Sequence, residues 1–169
     1  YVVRDFGQDG SRFTGDPMSL SGDMYEWYAA HEHDEGVYLA NACRYEEATI
    51  SAYMGGSSGA QPEPFWYLAA SPSYLREIGV DVPDDALEEA ERGVRVYLLP
   101  DSLDASEAEA TQRFLVASRT STDSNIVTAF MEDPEYDFVT YDGSEELFTW
   151  STDSGQPTTA DNFVIAVVS

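Results

Sequence analysis

The sequence predicts an α+β fold: a mixed sheet with several helices, with room for two lobes joined near residues 54–64. Three observations predict it. Apolar residues recur at helical spacing in some stretches and alternate in others, with no strict strand–helix–strand rotation. Residues 71–100 read as helix, turn, helix and strand, with Pro or Gly punctuating the boundaries. Apolar residues make up 43% of the 169, enough for a buried core that needs no disulfide staple.

Residues 1–4 suit a short strand and 5–16 a polar loop. The loop faintly imitates a calcium loop, with Asp5, Asp9, Gly10 and Asp16 at its first, fifth, sixth and last positions. Gly7 replaces the next ligand and Arg12 an apolar residue, so a plain Gly/Asp turn is expected. Residues 19–33 form an amphipathic helix whose stripe is Leu20, Met24, Trp27, Tyr28 and His31. Ser21 or Asp23 caps its start and Gly36 ends it. The stripe is expected to face the core. His31 and His33 precede Asp34 and Glu35, but a helix splays two imidazoles at this spacing, which predicts solvated surface over a zinc site.

Alternation predicts strands at 37–45 and 48–54. A Gly/Ser/Pro loop follows at 54–64 and contains the Gly-x-Ser-x-Gly spacing Gly55-Gly56-Ser57-Ser58-Gly59. In hydrolases that spacing is a strand-to-helix elbow with its His downstream. Here Pro62 and Pro64 oppose a helix and both His lie upstream, so a hairpin or lobe connection is expected. No Lys follows for a phosphate cradle.

Residues 65–69 form the next strand. Pro72 opens a short helix carrying Tyr74, Leu75 and Ile78, and Gly79 closes it. Pro83 suits the first turn of a second helix, and Asp84 and Asp85 complement its dipole. Ala86, Leu87 and Ala90 share a face, and Gly93 stops the helix. Val94, Val96 and Leu98 then alternate with Arg95, Tyr97 and Leu99 up to Pro100. Asp104 and Glu107 fit a capping box for a helix to about 118, with Ala108, Thr111, Phe114 and Leu115 inward. A polar turn is expected at 119–125, and 126–131 fits either helix or strand. Strands are expected at 137–141, 146–150 and 163–168. Asp142-Gly143 supplies a hairpin signal between the first two, and 153–155 a turn before the third.

The charge is lopsided. There are 32 acidic residues against eight basic ones, all Arg, for a net charge of −24. Such a surface repels phosphate backbones and anionic headgroups, which excludes nucleic acid as a partner and leaves a cationic partner electrostatically open. Cys43 is alone, so no intrachain disulfide forms; among Leu39, Ala40, Asn41 and Ala42 it reads as a small strand hydrophobe. The longest apolar runs are far below the ~18–20 residues of a membrane span. Both ends of the sequence are Val-rich, as though cut from something longer. Val2–Val3 and residues 164–168 are expected to lie together, as in a loop returning to one membrane face.

Two separated patches resemble one family. Pro72-Ser73-Tyr74-Leu75-Arg76-Glu77-Ile78-Gly79-Val80, the acidic helix after it, and Arg92-Gly93-Val94-Arg95-Val96-Tyr97-Leu98-Leu99-Pro100 resemble the extracellular segment of bacteriocin-associated ABC transporter permeases. Glu146-Leu147-Phe148-Thr149-Trp150-Ser151-Thr152-Asp153 and the strand at 163–168 look like the same family, integral membrane proteins of Gram-positive bacteria related in layout to MacB-type exporters. The similarity runs from about Phe65 to the end of the sequence.

The resemblance implies a single extracellular domain (residues 1–169) of a longer membrane protein, on the outer face of the cell membrane. Its partners would be the membrane helices of the parent permease, a cytoplasmic ATPase acting through them, and a peptide or protein substrate. No enzyme activity, catalytic residue, cofactor or metal follows from it. A free-standing secreted acidic module for carbohydrate or cationic peptide is the alternative, with surface Tyr and Trp as its contacts. A two-carboxylate hydrolase ranks below both, because 32 carboxylates make accidental pairs inevitable and none clusters in the sequence.

Overall fold

The structure, a computed structural model, describes residues 27–28, 30–55, 59–123, 135–149, 151 and 155–168. Several expectations lie outside the described residues: the strand at 1–4, the calcium-like loop, most of the first helix, Ser57, residues 126–131, Trp150, and the meeting of Val2–Val3 with the last strand.

Five strands form one mixed sheet: β1 (Ala40–Tyr45), β2 (Phe65–Ala70), β3 (Arg95–Pro100), β4 (Tyr136–Tyr141) and β7 (Val164–Val167). Their order is β1-β2-β7-β3-β4. β7 lies parallel to β2 and antiparallel to β3, β1 is antiparallel to β2, and β4 is parallel to β3. A two-stranded ribbon, β5 (Leu147–Phe148) with β6 (Thr159–Ala160), stands apart from the sheet. Among the described residues the helices are α1 (Glu47–Met54), α2 (Pro72–Glu77), α3 (Asp84–Glu91) and α4 (Ala105–Asp123), and residues 27–28 and 30–31 are also helical. The expected α+β class with a mixed sheet is what the chain adopts.

Both faces of the sheet are covered, and strand alternation sorts the side chains between them. On one face Trp66, Leu68 and Ala70 of β2, Val96 and Leu98 of β3, and Ile165 and Val167 of β7 meet Tyr74 and Leu75 of α2 and Ala86 and Ala90 of α3. On the other, Tyr97, Leu99 and Val164 meet Ile50 and Met54 of α1 and Phe114 and Leu115 of α4. This explains why β7 reads as an unbroken apolar run: a central strand has no wet side. Residues 59–64, outside any helix or strand, lead into β2.

The 71–100 stretch folds as its punctuation predicts. Ser71 caps α2, accepting from Tyr74 N at 3.4 Å and from Leu39 N at 3.1 Å, which also fastens the approach to β1. Gly79 and Gly93 end α2 and α3 with φ of +81° and +92°. Pro83 stands one position earlier than expected, as the N-cap of α3. The capping box is formed in full: Glu107 N donates to Asp104 Oδ1 at 2.8 Å, and Asp104 N donates to Glu107 Oε2 at 2.9 Å.

Four expectations are corrected. Residues 48–54 are helix, with Ile50 and Met54 buried in the cluster that holds Phe114. The α4 helix runs on through 119–123, where no Pro or Gly stops it. Asp142-Gly143 makes no hairpin, since β4 pairs with β3 and β5 pairs with β6. A Cβ on Gly143 would sit 2.7 Å from Pro100 Cβ, so this glycine serves a close crossing, and Asn162 N donates to its carbonyl at 2.8 Å. Trp27, assigned to the inward stripe, is 42% exposed, while Tyr28 is buried.

Candidate functional site

A crevice of about 470 Å³ lies at one end of the sheet, within the ~300–1,000 Å³ range of ligand clefts. It opens where β3 ends and where β2 and β7 begin. Pro62, Pro64, Pro100 and Leu103 supply apolar walls, Thr111 lies at the floor, and Glu63, Glu107 and Asp161 bring carboxylates. Each part has a local cause. Pro100 ends β3 and turns the chain into α4, so the capping box places Glu107 at the crevice. Glu107 uses Oε2 in that cap, accepting from Asp104 N. Glu63 and Asp161 are exposed. Asn162 adopts a left-handed φ of +53°, which Asn tolerates better than most side chains, and Ser102 Oγ donates to its Oδ1 at 2.9 Å.

Among the described residues of the lining the one guanidinium, Arg44, is committed elsewhere. Arg44 Nε lies 3.1 Å from Glu46 Oε1, and Arg44 Cζ stands 5.5 Å from the centre of the Trp66 ring. Trp66, weighed as a contact aromatic, is buried to 8% exposure and packs its other side on Phe163.

The remaining chemically suggestive residues scatter. His31 Nδ1 lies 2.8 Å from the Trp27 carbonyl oxygen, and its ring stacks on Trp27. His33 points into solvent beside Glu32. Cys43 sits on β1, partly buried, and desolvation pushes its thiol up to about 11, well away from thiolate chemistry. Burial first, then Asp101, Asp142 and Asp161, raise the Tyr141 phenol, whose hydroxyl donates to Phe163 O at 2.6 Å. Ser144 donates to Asp142 and holds that carboxyl low.

One carboxyl pair has company. Glu89 is raised, first by a hydrogen bond with Asp137 that needs a shared proton, then by desolvation and by Asp137's charge. The side chain is about a third exposed, yet Oε2 is enclosed without a donor. Among the described residues no three His, Cys, Asp or Glu come close enough to hold one metal ion, and no helix is long and apolar enough to cross a membrane.

Sequence reasoning missed the crevice. Its residues come from four places along the chain, and no local spacing announces their meeting. Comparison of the chain with protein-family models, with curated proteins and with solved structures finds no match.

Proposed function

We propose that the chain is the non-catalytic extracellular domain of an ABC transporter permease, acting in substrate or partner docking or in mechanical coupling during export of, or resistance to, a peptide-like substrate. One observation supports this reading above others. The separated patches that resemble the permease family, 71–100, 146–153 and 163–168, contribute to a single core: Tyr74, Leu75, Ala86, Ala90, Val96, Leu98, Leu147, Phe163 and Ile165 pack together.

On this reading the ATPase works on the cytoplasmic side and passes motion outward through the permease helices. The domain's layered sheet, covered on both faces, suits a body that moves as a unit. The test is to express the parent gene with its ATPase partner and replace residues 27–168 by a short linker. Loss of peptide export or resistance, with ATPase activity and membrane insertion retained, is expected. Full transport without the domain overturns the reading.

A further inference from the structure

We propose that the crevice at the end of β3 binds a cationic peptide segment, with Lys or Arg side chains against Glu63, Glu107 and Asp161 and apolar side chains against Pro64 and Leu103. This names the docking surface that the transporter reading leaves open.

Charge complementarity commits the occupant. Three carboxylates face one guanidinium, and that guanidinium is held by Glu46 and Trp66. An anionic ligand would meet a net negative lining inside a molecule of charge −24. The spread of the carboxylates decides between cations. They do not belong to any metal-holding cluster among the described residues, so they suit charges spaced along a chain better than a point charge. The ring faces decide against a sugar. Carbohydrate stacking needs an open aromatic face, but Trp66 is only 8% exposed with Arg44 over its ring and Phe163 beside it, and Phe65 packs on Tyr45 and Phe114. What the crevice offers is proline and leucine surface with carboxylates beside it, which matches the apolar stem and charged head of a basic side chain.

The test uses the 169-residue chain and a short, end-blocked, fluorescent peptide of alternating Lys and Leu. Anisotropy should show saturable binding of one peptide. The double variant Glu63→Gln/Asp161→Asn should weaken it at least ~10-fold, or ~1.4 kcal/mol. Glu88→Gln/Glu91→Gln removes the same charge from the exposed side of α3, and should change affinity less than ~2-fold, the effect of distant screened charges. Both variant pairs alter only exposed side chains, so folding is not at stake. Equal weakening by the two pairs means diffuse attraction and overturns the site. So does absence of saturable binding, or preference for a Glu–Leu peptide or a neutral oligosaccharide. Binding is read on the purified chain and transport in cells, so this proposal and the transporter reading can fail separately.

Discussion

Glu89 and Asp137 put two carboxyls against each other where α3 crosses β4. Protonation relieves the contact, because only a protonated Glu89 can share a hydrogen bond with Asp137. Its folded pKa is therefore above the ordinary 4.5, with Asp85 adding to the rise and Arg92 opposing it. A raised acid stabilises the fold below its unfolded pKa, and that contribution is lost as pH rises through the folded value. Glu89→Gln carries the donor at every pH. It should raise the melting temperature at neutral pH, and the gain over the parent should disappear below the ordinary carboxylate value. Melting curves at the two pH values decide it; a variant less stable at neutral pH refutes the account. Residue-scale chemistry of this kind was only partly legible. Glu89 and Asp137 are 48 positions apart and look like any other surface acids until α3 is laid on the sheet. Gly143 was legible as a special glycine, but the reason, Pro100 pressed against it, belongs to the tertiary structure.

The helix boundaries were the best-read elements, because caps are local chemistry. The reciprocal bonds of Asp104 and Glu107 are visible as a four-residue spacing before any fold exists. Asp104→Ala should cost about 0.5–2 kcal/mol, measured by urea unfolding, with an unchanged denaturant slope. No loss would mean that tertiary packing alone fixes the start of α4. The misread element is instructive for the same reason. Ala48, Thr49, Ile50 and Tyr53 include two β-branched residues and an aromatic, which suit a strand. In the helix, Ile50 and Met54 join the core cluster that includes Phe114 of α4, a contact distant in sequence. Propensity is a weak prior, and here packing overrides it. The β5–β6 ribbon was half legible: β5 falls inside an expected strand, whereas a two-residue β6 is too short to show alternation.

At the scale of the whole molecule, the fold class was legible from mixed periodicity, and the strand order was not. Nothing local tells β7 to enter between β2 and β3. The net charge sets how the assembled molecule responds to its medium. Ion pairs among the described residues are few and mostly exposed, so they contribute little beside the repulsion of a −24 surface. Added sodium chloride should therefore raise the melting temperature by several degrees as the Debye length falls from about 10 Å at 0.1 M towards 3 Å at 1 M. A falling melting temperature would show that attraction, not repulsion, dominates the surface. The place of β7 has a further consequence, for synthesis. The slot it fills lies between two strands completed at residues 70 and 100, and β7 comes only at 164–167. While the ribosome is still making the intervening segment, the nascent chain holds two unjoined half-sheets, with Trp66, Leu68, Val96 and Leu98 awaiting their neighbour. The five-stranded sheet cannot close until β7 has cleared the exit tunnel, so Trp66, Leu68, Val96 and Leu98 stay uncovered by it through that interval of synthesis.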